Sequence, residues 1–133
     1  MRAEKVIRSL LVATPALNAV VESRIYPAPA PQATALPCVT YAHVSTVVLP
    51  TIGASGAYSL VQSRIDVTAI TKTYAQQKAL IEAIRIALDY QRGVIAGVEV
   101  ISVIRGSIGP DARDDDLTLY SQSIDFLVTL RES

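Results

Sequence analysis

Few residues in this chain have the chemistry for a reaction or a metal. They are one histidine, His43, one cysteine, Cys38, a glycine-rich stretch from Gly53 to Gly56, and the acidic run of Asp111, Asp114, Asp115 and Asp116. His43 stands between Ala42 and Val44 in an apolar, β-branched run. That placement gives no second histidine for a metal pair and no spaced serine and acid for a triad. Cys38 and His43 are five residues apart on an expected strand and so point to opposite faces, which argues against a thiolate-imidazole couple. A lone cysteine also excludes an internal disulfide and a Cys-rich zinc site, and between Pro37 and Val39 it reads as a small buried hydrophobe.

The glycine-rich stretch lacks the Lys and Ser or Thr of a phosphate loop and opens no helix, so it reads as a hairpin tip. The four aspartates do not follow the EF-hand spacing, and no Glu closes the set. They read as a solvated acidic loop. With no acid-base pair and no cofactor loop, the sequence predicts neither catalysis, nor a cofactor, nor a metal site.

The composition has the same bearing. Of 133 residues, 50% are hydrophobic and 18% charged, enough apolar material for the core of one domain spanning residues 1–133. Twelve basic residues balance twelve acidic ones. Without a basic cluster on one surface, nucleic-acid binding by counterion release is not expected. The start, MRAEKVIRSLLVA, is broken by Glu4, Arg8 and Ser9 at helical spacing. It predicts an amphipathic helix and not a signal peptide, and no run approaches the ~20 apolar residues that span a bilayer. A soluble protein made in the cytoplasm, with no membrane partner, is the expectation.

The elements that must position these residues are organised around Ile65 to Gly93. Ile65, Val67 and Ala69 alternate with Asp66, Thr68 and Ile70, the period of a strand with one buried face. Thr73 and Gln76 then form a capping box, and the following helix is expected to stop at Gly93. Its apolar face is Leu80, Ile81, Ile84, Ala87 and Leu88, opposite a charged wedge of Lys78, Glu82, Arg85, Asp89 and Arg92. A second apolar strip, Ala75, Ala79, Ala83, Ile86 and Tyr90, needs a partner of its own. The two candidates are the first helix of the same chain and a neighbouring subunit.

That first helix carries Val6, Ile7, Leu10 and Leu11 and is expected to break at Thr14-Pro15, with Thr14 as N-cap. A proline-rich arm follows at about residues 26–37, extended in the polyproline manner. Strands are expected at 38–49 and 57–70, joined by a tip at about 50–57, then at 98–105 and 117–130 around a polar loop at about 106–116. Gln122 interrupts the apolar face of the last strand. The predicted architecture is α+β in the order α-β-β-α-β-β, with a four-stranded, mainly antiparallel sheet and helices on one face. The polar face of the second strand, Gln62, Arg64, Asp66 and Thr68, is expected to be wet or to meet a polar neighbour.

Two segments together carry a resemblance: RIYPAPAPQATALPCVTY at 24–41 and VQSRIDVTAITKTYAQQKALIEAIRIALD at 61–89. Through Arg24-Ile25-Tyr26-Pro27, Pro31-Gln32, Leu36-Pro37, Arg64, Asp66 and the run from Tyr74 to Leu80, the chain resembles the tail-completion or tail-terminator family of long-tailed bacteriophages. That family also occurs in prophages and gene transfer particles. The resemblance implies a structural virion protein of the tail and neck, made in the bacterial host, with no catalytic residues. It implies a ring, usually of six copies, on the head-proximal end of the tail tube. Such a ring ends tube growth, contacts the tail-tube protein and the head's stopper protein, and passes DNA non-specifically through its lumen.

A ring gives several residues a use. Ala79, Ala83, Ile86 and Tyr90 become a candidate subunit interface, and Pro50, Thr51, Ile52, Gly53, Ala54, Ser55 and Gly56 a candidate contact between subunits or rings. Asp111, Asp114, Asp115 and Asp116 become a candidate lumen loop that repels phosphate. The alternative reading is a small dimeric α+β ligand-binding or regulatory domain, which should show a pocket with convergent polar groups.

Overall fold

The computed structural model describes residues 2–21, 24–27, 37–49, 59–109, 112–114 and 119–132. Helices α1 (Arg2–Val12) and α2 (Pro15–Val21) precede strands β1 (Ile25–Pro27), β2 (Cys38–Leu49) and β3 (Ser59–Thr71). Helix α3 (Tyr74–Leu88) follows, then β4 (Gly93–Ile95), β5 (Val98–Ile108), β6 (Ala112–Asp114) and β7 (Leu119–Glu132).

The sheet has seven strands, not the expected four. Six run in the order β1-β2-β3-β7-β5-β4, and β6 pairs with β7 beyond that path. It is also mixed, because β1 lies parallel to β2, with Ile25 opposite Val39 and Pro27 opposite Tyr41. The expectation of a four-stranded, mainly antiparallel sheet is therefore corrected. The reason is physical: β1, β4 and β6 are three residues each, too short for any alternation to appear in the sequence. β1 overlaps the start of the expected proline arm, whereas β6 and the end of β5 occupy what the sequence marked as polar loop.

The long strands follow their pattern. Val61, Ser63, Ile65, Val67, Ala69 and Thr71 of β3 are buried, as are Gln122, Ile124, Phe126, Val128 and Leu130 of β7. β3 and β7 pair antiparallel from Ser59 opposite Glu132 to Thr71 opposite Tyr120, so two strands about sixty residues apart in the chain form the centre of the sheet. Helix α3 packs on β3, β5 and β7, and α1 packs on β2, β3 and α3. Between sheet and helices lies one core, with Val6, Ile7, Leu11, Leu17 and Val21 from the first two helices and Leu80, Ile81, Ile84, Ala87 and Leu88 from α3. Fully burying each such side chain contributes about 1.5–3 kcal/mol.

Pro15 takes the first position of α2, as its fixed φ and missing N–H favour. Thr14 departs from its expected part: its hydroxyl donates to the Leu10 carbonyl at 2.9 Å and so closes the end of α1. Thr73 does cap α3, accepting from the Gln76 amide at 3.2 Å. The helix ends at Leu88, not Gly93, and is about 22 Å long. It stops early because the next residues join the sheet. The Tyr90 amide donates to the Val103 carbonyl at 2.8 Å, and the Val103 amide to the Gln91 carbonyl at 3.0 Å. Gly93, at φ 108°, then opens β4, and Ala96 and Gly97, both with positive φ, form a two-residue hairpin between β4 and β5.

Candidate interaction surface

The histidine and cysteine singled out by the sequence take structural roles. His43 lies opposite Ile65 while Cys38 lies opposite Ile70, on the other face. The imidazole Nε2 sits 2.6 Å from the Thr46 hydroxyl, which is 2.9 Å from the Ser63 hydroxyl. Cys38 is buried. Burial pushes its thiol above the ordinary value, and the nearby Arg24 guanidinium only partly offsets this. A neutral, enclosed thiol is a poor nucleophile. Among the described residues no group of three or more His, Cys, Asp or Glu side chains is placed to hold a metal ion.

The sheet face turned away from the helices is polar and largely satisfied within itself. Gln62 Nε2 donates to Thr129 Oγ1 at 3.4 Å, Arg64 Nη1 to Asp125 Oδ2 at 3.1 Å, and the Thr68 and Ser123 hydroxyls meet at 2.8 Å. Each bond links β3 to β7, so the ladder of polar side chains reinforces the central strand pair. Gln122, the polar residue on the core face, is also engaged. Its Oε1 accepts from Lys78 Nζ at 3.2 Å and its Nε2 donates to the Gly109 carbonyl at 2.9 Å. Lys78 also lies 5.1 Å from the centre of the Tyr74 ring, which meets Tyr120 edge-on at 6.3 Å. These contacts pin the start of α3 to β7.

The second apolar strip of α3 is divided. Ala83 packs against the core, while Ala79 is exposed. Ile86 and Tyr90 stand out at 62% and 78% exposure. Helices α1 and α2 therefore cover part of the strip and leave its C-terminal end bare. Tyr90 sits at φ 61°, a left-handed conformation uncommon for a residue with a side chain, and its amide is fixed on β5. Backbone pairing holds the ring outward. Beside it, Gln91, Arg92, Ile101, Ser102 and Ile104 line a shallow groove of about 390 Å³.

The other sequence candidates are placed only in part. Asp114 belongs to β6, opposite Leu119, while Asp111, Asp115 and Asp116 lie outside the described residues. Pro50, Thr51, Ile52, Gly53, Ala54, Ser55 and Gly56 also lie outside them, as does most of the proline arm. The two ends of that arm are tied together. Arg24 Nε donates to the Pro37 carbonyl at 2.9 Å, and the Val39 amide to the Arg24 carbonyl at 3.0 Å.

Sequence reasoning missed a second exposed apolar region. Val44, Val47 and Val48 of β2 are 50%, 56% and 61% exposed. Val48 pairs with Val61 on the side of the sheet that elsewhere meets the helices. A signal was present: from Ala42 to Leu49 the strand contains no Lys, Arg, Asp, Glu, Gly or Pro, although open strands usually carry such residues.

A groove of about 410 Å³ between α1 and the β4–β5 turn is lined by Lys5, Arg8, Ser9, Val12, Ala13 and Ala96. Lys5 and Arg8 are exposed, so the groove is not the enclosed pocket with convergent polar groups that a ligand-binding domain requires.

A family model described as "Tail completion protein gp17" matches residues 5–131. No curated protein matches the chain by sequence. Among solved structures, a chain of the "Virion of native gene transfer agent (GTA) particle" is similar with a TM-score of 0.70 and 16% identity, over 95% of this chain and 92% of that one. At that identity the likeness concerns the fold.

Proposed function

Because the chain belongs to the tail completion protein gp17 family, structural proteins of the virion tail, we propose that it closes into a hexameric ring on the head-proximal end of the tail tube. There it ends tube polymerisation and joins tail to head, with DNA passing through the lumen. Its partners are further copies of itself, the tail-tube protein and the head's stopper protein. No helix among the described residues is long and apolar enough to cross a membrane.

The observation that carries this reading is the bare end of the α3 flank. An isoleucine at the end of α3 and a tyrosine whose backbone is anchored to the sheet, both more than half exposed, fit a partner that arrives in assembly. A ring needs such a surface, since standard interfaces bury about 800 Å² per partner. The test is the mass of the purified protein by light scattering, alone and with tail-tube protein, beside tail length in particles lacking it. A hexamer, or a monomer that forms a ring on the tube end, together with overlong tails in its absence, supports the reading. A stable dimer indifferent to tube protein, with tails of normal length, overturns it.

Two parts of the proposal concern segments near the ring's surfaces. The tip from Pro50 to Gly56 reaches an adjacent subunit or ring, and normal assembly after its deletion would defeat that part. The aspartates at 111, 114, 115 and 116 face the lumen and keep phosphates from sticking. Replacing Asp114, Asp115 and Asp116 with Asn while genome packaging and ejection stay unchanged would remove that role.

A further inference from the structure

Among the described residues, the sheet has two open edges. β2 is paired along its whole length by β3, from Cys38 opposite Ile70 to Leu49 opposite Leu60. On its other side β1 covers only Val39 to Tyr41. Among the described residues, the outer edge of β2 from Ala42 onward therefore has no strand partner. The one irregularity is a bulge at Val44, between the paired His43 and Ser45. Beyond it, Ser45 to Leu49 runs straight for about 17 Å, with half of its backbone N–H and C=O groups pointing away from the sheet. Natural open edges are blunted by charges, prolines or covering loops. This one has an uncharged, β-branched sequence, and its valines are half or more exposed.

At the other end of the sheet the outermost chain is Tyr90 to Ile95. Its inner side is fixed on β5 by the bonds between Tyr90, Gln91 and Val103 and by the pairing of Gly93 with Val100 and Ile95 with Val98. Its outer side is open among the described residues, and it carries Val94 and Tyr90 at 76% and 78% exposure. Along the sheet order, β2 and β4 are four strand spacings apart, about 19 Å.

We infer that these two edges are the two halves of one contact: the Ser45–Leu49 edge of one copy adds, as a strand, to the Tyr90–Ile95 edge of the next. The inference rests on the ring reading and names the partner of the Tyr90 flank. Its occupant is a second copy of this chain, for three reasons. Among the described residues, each edge carries outward N–H and C=O groups with no strand partner, so that either can pair with the other, which is the basis of strand addition. Each has exposed aliphatic or aromatic side chains beside those groups, so pairing buries apolar surface at the same time. And the two surfaces differ and lie toward opposite ends of the strand order, as a head-to-tail contact that repeats from copy to copy requires. The formal net charge of zero adds no repulsion between copies.

The experiment uses assembled particles containing Val47→Cys, Val94→Cys or both, treated with a short bis-maleimide. Cys38 is 1% exposed and gives little background, and a link within one copy adds no second chain, so it cannot be mistaken for a multimer. Covalent multimers above the dimer from the double variant, with none from either single variant, support the inference. A covalent dimer from Val47→Cys alone overturns it, because β2 then pairs with its own copy. No crosslink from the double variant, while the protein from those particles still has a ring's mass, overturns the edge contact and leaves the ring standing. Only monomeric protein in the particles overturns both. As a second arm, Val47→Lys should abolish the higher-mass species in solution or on the tube end while the melting temperature is unchanged. Retention of those species overturns the inference.

Discussion

Asp66 and Asp125 stand directly opposite one another on β3 and β7, two carboxylates on the sheet face away from the helices. Arg64, two residues from Asp66 on the same face of β3, reaches Asp125 at 3.1 Å. Opposed like charges on neighbouring strands destabilise a sheet, and this ion pair, with Arg64 45% exposed, is screened by water. Asp66→Asn should stabilise the monomer by about 0.2–1 kcal/mol at neutral pH. The gain should shrink at high ionic strength, where the repulsion between exposed charges is screened. Thermal melts of both proteins at low and high salt measure this, and an equal gain at each would point to another cause.

Gln77 is fully buried on the core side of α3, and among the described residues neither polar atom of its side-chain amide has a hydrogen-bond partner. A buried amide left unpaired costs about 1–3 kcal/mol. Gln77→Met, of similar length, should raise the denaturant midpoint with an unchanged slope. A lower midpoint would mean that the amide is engaged in the folded protein.

The Thr73 hydroxyl is the cap of α3, and that helix forms one wall of the core. Thr73→Ala should cost about 1 kcal/mol of unfolding free energy, and Thr73→Asp should retain most of it. Equilibrium denaturation of the three proteins distinguishes a cap from a passive surface residue, for which all three would agree.

Tyr90 gives effects of opposite sign. Its left-handed backbone costs roughly 1 kcal/mol for a residue with a Cβ, so Tyr90→Gly should leave the monomer as stable as before or slightly more so. The same change removes the exposed ring and should weaken assembly. Melting temperature and light-scattering mass, measured together, show whether the two separate. Loss of both would make Tyr90 a folding residue.

Burial holds the Cys38 thiol above its ordinary value of 9.0. The folded chain therefore keeps its proton where the unfolded chain has begun to lose it. The associated stability is complete below the unfolded pKa and declines as pH rises through the raised folded value. Cys38→Ala or Cys38→Val should flatten that decline in melts between pH 8 and 10.5, while in the native protein a thiol reagent should react with Cys38 slowly.

Much of the architecture was legible because long amphipathic elements carry their own record. The bounds of β2, the buried face of α3 from Leu80 to Leu88, and the inward set of β7 from Ile124 to Leu130 all follow periods that repeat several times. The break at Pro15 and the cap at Thr73 rest on local chemistry and were equally readable. The helix end was not, since Tyr90 and Gln91 read as helix by composition but gain backbone partners on β5. β1, β4 and β6 were invisible because three residues do not make a period. Of the candidate interface, Ile86 and Tyr90 proved exposed and Ala83 did not.

What the sequence by itself determined is which residues face inward and where helices and strands lie, because alternation and helical spacing are properties of consecutive residues. It also carried the family resemblance. Tertiary structure alone decided that β3 lies beside β7, that Arg24 ties the ends of the arm at Pro37, and that among the described residues the sheet ends in two unlike open edges. A strand's pattern shows that one face is buried, but not which strand lies on either side of it. The exposure of Val47 and Tyr90 depends on where the sheet stops and which helices reach that far, and those are long-range contacts that no local pattern encodes.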